Sequence, residues 1–144
     1  MSFPEIHNLA NQLLAFEAAR NSAPGDAGAE VALRVIEELR GRLTRLAGVD
    51  GFRSLLSRAL SLGKAELPAI NLLQVAADGT LEGFEAIELS QEPGVADRAG
   101  AIVVAYLLEL LVTFIGDSLT LSLVRDAWPD ASAGGADVGT EEKP

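Results

Sequence analysis

The most apolar stretch of the sequence is AGAIVVAYLLELLVTFIG, residues 99–116, in which Glu109 is the only charged residue. It belongs to a longer segment, residues 95–128, that ends where Pro129 cannot continue a helix. The spacing predicts one long helix or two consecutive helices, with Gly116 as the break. We expect this element to lie at the centre of a helical bundle, wrapped by protein on most of its sides.

The same stretch invites comparison with a transmembrane helix. Its uncharged runs, residues 99–108 and 110–116, are both shorter than the roughly 20 apolar residues that span a bilayer. No cluster of Lys or Arg flanks either end of the stretch. The sequence therefore disfavours membrane insertion, while peripheral attachment through the last helix stays open as an alternative.

A narrow polar line follows this helix when the residues are placed at 100° intervals. It runs from Arg98 to Thr120. Four of its residues form our candidate interaction site or pocket lining: Tyr106, Glu109, Thr113 and Asp117. The simplest interpretation is a line of side chains that faces water. The alternative is that the line faces a cleft or a partner subunit, where the two carboxylates would bind a cationic group.

Three amphipathic helices are predicted ahead of the middle segment. The first spans about residues 4–20, the second runs from near Asp26 to a stop at Gly48, and the third follows a cap at Asp50. The apolar stripe of the second helix is expected to face the core. It comprises Val31, Val35, Ile36, Leu39, Leu43 and Leu46.

The middle segment, residues 66–93, has two interpretations. A strand at residues 70–75, followed by a turn, predicts a small β-hairpin if residues 81–87 pair back. A short helix over residues 80–89, capped by Thr80, is equally consistent with the sequence of this segment. On that helix one face would hold Leu81, Phe84 and Leu89, and the outward face would hold Glu82, Glu85 and Glu88.

Charge is unevenly distributed along the chain. The 144 residues include 21 acidic and 11 basic ones, a formal net charge of −10, which argues against binding to nucleic acid or to anionic lipid. Residues 40–64 hold six basic residues and one acidic residue, a net charge of +5. Residues 65–97 hold seven acidic residues and no basic one, a net charge of −7. These blocks are either two solvated surfaces or the two sides of a head-to-tail contact between copies.

Patterns that carry catalysis or metal binding are scarce. The chain has no cysteine and one histidine, His7, which excludes thiol catalysis, a disulfide framework and cysteine-ligated metals. Residues 116–119 spell GDSL, a signature of the GDSL esterase family, but that resemblance implies a serine near the N-terminus and a histidine downstream of it. Ser118 lies late in the chain and has no positioned base. We predict no catalytic residue, no metal site and no cofactor.

The sequence thus predicts an all-α fold, a single helical domain over residues 1–129 that forms a bundle of four to five helices. Its long apolar C-terminal helix is central, and a small β-hairpin near residues 70–87 is one alternative for the middle segment. Residues 130–144, DASAGGADVGTEEKP, are predicted to be a disordered acidic tail. Because its first 13 residues contain no Lys or Arg, the chain lacks a secretory n-region and is expected to be cytoplasmic.

The function we expect is that of a non-enzymatic protein-interaction module, an adaptor or regulator. Helices this apolar often bury part of their surface against a second chain, so we expect a protein partner or self-association as a homodimer. Two alternatives remain at this point. One is a small helical ligand-binding protein or enzyme with a carboxylate-lined pocket, and the other is a peripheral membrane protein.

Overall fold

The computed structural model describes residues 2–21 and 28–129. In chain order its elements are α1 (Phe3–Asn21), α2 (Gly28–Glu66), a 3₁₀ helix (Pro68–Leu72), β1 (Gln74–Val75), β2 (Leu81–Glu82), α3 (Phe84–Ser90), α4 (Val95–Ile115) and α5 (Asp117–Ala127). The predicted all-α bundle with a small hairpin is confirmed for this part of the chain. The predicted helix start near Asp26 and the predicted tail, residues 130–144, lie outside the described residues.

A capping box begins α1. The backbone N–H of Ser2 donates to Glu5 Oε1 at 2.7 Å, and the N–H of Glu5 donates to Ser2 Oγ at 3.3 Å. These bonds satisfy donors that a helix start otherwise leaves unpaired, and they hold the pKa of the Glu5 carboxyl below its usual value. The buried face of α1 then follows at spacings of three and four residues: Ile6, Ala10, Leu13 and Glu17.

Gly48 divides α2 into a first arm, residues 28–47, and a second arm, residues 49–66. Its backbone is non-helical, with φ 79° and ψ 168°. Glycine adopts a positive φ without the steric cost that a Cβ imposes, so the direction of the chain can change at this residue. The predicted boundary between two amphipathic helices at Gly48 is therefore confirmed.

The first arm of α2 runs parallel to α4. The N–H of Ala29 donates to Asp97 Oδ1 at 3.0 Å. Three residues further along both helices, a Cβ added at Gly100 would meet Ala32 Cβ at 2.6 Å, so the two backbones approach as closely as glycine permits. Both contacts give the same register, in which residue i of the first arm lies level with residue i + 68 of α4.

The second arm returns along α4 in the opposite direction. By the register of the first arm, Gly48 reaches the level of Gly116. Further down the second arm, a Cβ added at Gly63 would lie 3.2 Å from Ile102 Cγ2, so this part of the chain is back beside the first half of α4. The two arms of α2 therefore form an antiparallel pair against the same helix.

The hairpin and the helix that were alternatives for the middle segment are both present, one after the other. β1 and β2 pair antiparallel, with Gln74 opposite Glu82 and Val75 opposite Leu81. In the turn between them, Asp78 Oδ1 accepts the N–H of Thr80 at 3.0 Å and its hydroxyl at 2.8 Å. These bonds hold the pKa of Asp78 below its usual value.

Three details predicted for this segment are wrong. Part of the expected strand at residues 70–75 is 3₁₀ helix, and Thr80 does not cap a helix, because α3 begins after Gly83. Leu89 does not share the buried face of α3. That face is set by Phe84 and Ile87, three residues apart, whereas Leu89 lies on the far side of the helix and is 89% exposed.

α4 is the central helix of the bundle and contacts every other α-helix. Its fully buried residues include Ala99, Val103, Val104, Leu107, Leu108 and Leu111. Each buried Val or Leu side chain contributes about 1.5–3 kcal/mol relative to an exposed one. By length and composition alone α4 is also long enough and apolar enough to cross a membrane, and 44% of that apolar window is buried inside the protein.

The long apolar segment is two helices, as one of the sequence interpretations held. α4 ends at Gly116, where φ is 88° and ψ is 166°, and α5 follows at once. At the other end of α5, the Trp128 side chain is 1% exposed and its Nε1 donates to Glu17 Oε1 at 3.0 Å. Arg20 donates to the same oxygen at 3.1 Å, so a buried carboxylate of α1 holds the end of α5.

Candidate functional site

The four candidate residues on the polar line do not share one environment. Tyr106 is half-buried, and its hydroxyl donates to Glu66 Oε1 at 2.9 Å, which ties α4 to the end of α2. The hydrogen bond to this carboxylate raises the pKa of Tyr106, with a further contribution from burial. The tyrosine therefore has a structural contact of its own.

The other three candidates lie further along the segment. Glu109 is half-buried, Thr113 is exposed, and the Thr113 hydroxyl donates to the backbone oxygen of Glu109 at 3.1 Å, within the same helix. Asp117 is exposed in the first turn of α5. The 100° register does not carry across the break at Gly116, and Thr120, which was expected on the same line, is fully buried.

Metal binding and the GDSL letters can both be compared with the described part of the chain. Within residues 2–21 and 28–129, no group of three or more His, Asp or Glu side chains could hold a metal ion. The GDSL letters fall at the junction of two helices. Gly116 supplies the break, and Ser118 is exposed in the first turn of α5.

A different feature stands out at one end of the bundle, where large apolar side chains are uncovered. We call this surface the apolar end. Its members, with their exposed fractions, are Leu46 (53%), Val49 (39%), Phe114 (59%) and Leu119 (48%). They come from three separate segments of the chain, on either side of the kink in α2, from the last turn of α4 and from the first turn of α5.

Two observations relate the positions of these residues. The register set by Ala29 and Ala32 at the start of the first arm, extended to its end along straight helices, would place Leu46 level with Phe114. Leu46 and Leu119 also line one groove of about 280 Å³. Val49 follows directly after the kink, so it lies at the same end of the bundle.

Two arginines border the apolar end. Arg42 and Arg45 line the groove beside Leu46, together with Asp126. Arg42 donates to Glu38 Oε2 and to the backbone oxygen of Asp126, both at 3.2 Å. Arg45 is exposed and has no ion-pair partner within the part of the chain that the structure describes. The groove side of the apolar end therefore carries two arginines and one aspartate, while the exposed Asp50 and Asp117 adjoin Val49 and Leu119.

A cleft of about 480 Å³ lies at the opposite end of the molecule, and we call it the acidic cleft. It lies between the start of α2 and the β2–α3 segment, and its lining includes Ala29, which bonds to the first turn of α4. Its apolar floor is formed by Leu33, Leu81 and Phe84, and its border by Glu30, Glu82, Glu85 and Glu88. None of these four carboxylates forms an ion pair among the described residues.

The two charge blocks found in the sequence differ in whether their side chains form ion pairs within the fold. In the basic block, Arg40 bonds to Glu37 at 2.6 Å and Arg42 to Glu38 at 3.2 Å, each within one helix. Arg40 also lies near Asp78 of the acidic block, which contributes to the lowered pKa of that aspartate. The glutamates of the acidic cleft have no such basic neighbour among the residues that line it.

Sequence reasoning missed the apolar end. It placed Leu46 in the stripe that faces the core and expected the stretch containing Phe114 to be wrapped on most sides, and both expectations are wrong at these positions. Leu46 and Phe114 each lie two residues before a glycine that ends its helix. Nearness to such a break was the available signal, because the last turn of a helix can extend past its neighbours.

Comparison with known proteins gave no relative. No protein-family model matches the chain, and neither a curated protein nor a solved structure is significantly similar to it.

Proposed function

We propose that this protein is a non-enzymatic interaction module that associates with itself through the apolar end. The observation that carries the proposal is the set of four large apolar side chains that are 39–59% exposed at one end of the bundle. Single exposed apolar residues are common on monomers, but a contiguous group bordered by polar residues is typical of a protein contact surface. The expected class of partner is a protein.

The composition of the surface supports this class of function. Phe and Arg are enriched in protein interfaces, and anchors of this kind carry most of the binding energy when a neighbouring chain excludes water from them. Phe114 is the most exposed of the four residues, and Arg45 lies on the border of the surface. Covering the four side chains would therefore remove apolar area from water, and the exposed Arg45 on the border would be available to an acidic group of the partner.

The proposal is tested by the mass of the purified protein in solution. Sedimentation velocity over a range of concentrations should show a mass above that of the 15.1 kDa chain, increasing with concentration. The variant Leu46→Ser/Phe114→Ser should sediment as a monomer at concentrations where the wild type associates. A matched control, Ala15→Ser/Ala19→Ser on the exposed face of α1, should associate like the wild type.

Two results would contradict the proposal. One is a wild-type chain that stays monomeric at every concentration tested. The other is a Leu46→Ser/Phe114→Ser variant that associates as strongly as the control. If the monomeric chain co-sediments with neutral lipid vesicles and the double variant does not, the apolar end faces a membrane, and peripheral attachment replaces self-association.

A further inference from the structure

The acidic cleft has the composition of a contact surface, with apolar groups inside a charged border. Leu33, Leu81 and Phe84 form its floor. Leu89 is not part of this floor, because it lies on the far side of α3 from Phe84. An apolar area of this kind, with unpaired carboxylates around it, fits a partner surface that is itself apolar and positively charged.

The apolar end of the same protein has that composition. It combines exposed apolar side chains with Arg42 and Arg45, whereas the acidic cleft combines apolar side chains with four glutamates. Both surfaces therefore combine apolar and charged side chains, and the groove of the apolar end, with two arginines and one aspartate, is opposite in sign to the cleft. A volume of about 480 Å³ also leaves room for a large side chain such as that of Phe114.

We propose that the occupant of the acidic cleft is the apolar end of a second copy of this chain. The proposal rests on the proposed function, since it uses the apolar end as a contact surface, and it goes further by naming the surface of the partner. The apolar end buries its exposed side chains against the floor of the cleft. The arginines on its border face the glutamates of the cleft.

The positions of the two surfaces determine the form of the assembly. The acidic cleft lies beside Asp97 at the start of α4, and the apolar end lies beside Phe114 at the end of that helix. At 1.5 Å per residue the two levels are about 25 Å apart along the helix axis. A contact between different surfaces at opposite ends is heterologous, so it adds copies head to tail and does not stop at a two-fold dimer.

Another basic surface of the chain fits the cleft less well. The outer face of the second arm of α2 carries Arg53 and Arg58 among serines that line the same shallow depression. No large apolar side chain is exposed on residues 53–64. A contact through that face would be ionic only, and salt would screen it.

The head-to-tail contact is tested by mixing two variants, each with one surface disabled. The first is Leu46→Ser/Phe114→Ser, which disables the apolar end, and the second is Glu85→Lys/Glu88→Lys, which disables the acidic cleft. Each variant alone should sediment as a monomer. An equimolar mixture should form a 1:1 dimer and nothing larger, because each copy retains the surface that its partner needs.

Two further variants make the result specific. Asn8→Lys/Gln12→Lys/Ala15→Lys/Ala19→Lys on the exposed face of α1 changes the net charge by the same amount, +4, at residues that line neither surface, so this control should associate like the wild type. Glu85→Gln/Glu88→Gln removes the charges without reversing them and should weaken association about tenfold. Trp128 fluorescence, from the only tryptophan in the chain, shows in each case whether the bundle is folded.

The results separate this inference from the proposed function. A Glu85→Lys/Glu88→Lys variant that associates as strongly as the wild type would overturn the head-to-tail contact and leave a two-fold contact between apolar ends. A mixture of the two disabled variants that stays monomeric would also overturn it. A wild-type chain that is monomeric at all concentrations would overturn both proposals.

Discussion

The middle and the last turn of α4 are both apolar in sequence and very differently covered in the fold. In the middle, Val103, Val104 and Leu107 are fully buried against the elements that pack on α4. In the last turn, Phe114 is 59% exposed although its side chain is larger and as apolar as theirs. Hydropathy along a helix therefore indicates which residues gain from burial, and the lengths of the neighbouring helices determine which residues are buried.

The same difference separates the structural residues of this protein from the candidate functional ones. Residues in the covered middle of α4 hold the bundle together, so their substitution should reduce stability. Residues at the apolar end contribute little to the fold of one chain and are available to a second chain. Four experiments test this division, beginning with the one that should change stability most.

The largest contrast is between alanine substitutions in the middle and in the last turn of α4. Leu108→Ala removes a fully buried side chain and should lower the free energy of unfolding by about 2–5 kcal/mol. Phe114→Ala should change it by less than about 0.5 kcal/mol, because the side chain is mostly in water. Urea unfolding followed by Trp128 fluorescence, at a concentration where the chain is monomeric, measures both values. Equal losses for the two variants would contradict the division.

Charged groups should show the same contrast between covered and open positions. Glu17→Ala removes the acceptor of the buried Trp128 N–H and should cost about 1–3 kcal/mol, whereas Glu17→Gln keeps an oxygen acceptor and should cost less. Glu38→Ala breaks only the half-exposed pair with Arg42 and should cost at most about 1 kcal/mol. The same urea experiment ranks the three variants. A Glu38→Ala variant as unstable as Glu17→Ala would contradict the expectation that the buried hydrogen bond stabilises the fold more than the half-exposed ion pair does.

Valine substitutions at two threonines should show a smaller contrast, in which the buried substitution raises the free energy of unfolding. Thr120 is fully buried, and its hydroxyl has no hydrogen-bond partner among the described residues, so Thr120→Val should raise the free energy of unfolding by about 1 kcal/mol. Thr113 is exposed, and Thr113→Val should change stability by less than about 0.5 kcal/mol. Thermal unfolding of the two variants side by side is the measurement. A destabilised Thr120→Val variant would mean that the hydroxyl has a partner.

The smallest expected effect concerns the pKa of Tyr106, which is half-buried on α4. Tyr106 is the only tyrosine, so its phenolate absorbance can be titrated without interference, and its pKa should lie above the usual value of about 10. Because the pKa is raised on folding, the bond to Glu66 stabilises the fold below the unfolded pKa and is lost as the pH rises through the folded one. Glu66→Gln should bring the pKa back toward its usual value, whereas Glu82→Gln should leave it unchanged. A Tyr106 pKa that does not respond to Glu66→Gln would contradict this assignment.

Much of the fold could be predicted from local patterns. The break at Gly48, the break at Gly116 and the amphipathic helices between them follow from glycine conformation and helical spacing, which act over a few residues. The mixture of hairpin and helix in the middle segment could not be resolved in this way. Both interpretations were locally consistent, and the packing of Phe84 and Ile87 against the core determined where the strand ended and α3 began.

The candidate site was less predictable than the fold. The polar line through Tyr106, Glu109, Thr113 and Asp117 was inferred from one continuous helix, and the break at Gly116 ends that register. The charge blocks were visible in the sequence, but the fold shows that arginines of the basic block bond within their own helices while the cleft glutamates do not. The charged side chains that form no ion pair within the chain are therefore the ones that remain available to a partner.

Local patterns in the sequence predicted the breaks at Gly48 and Gly116 and the uneven distribution of charge, because these features depend on neighbouring residues. Packing between distant segments then left Leu46, Phe114 and Leu119 uncovered at one end, while four glutamates border a cleft at the other. Coverage is set by how far each packed helix reaches along its neighbours. That reach depends on contacts between residues far apart in the chain, such as Ala32 with Gly100.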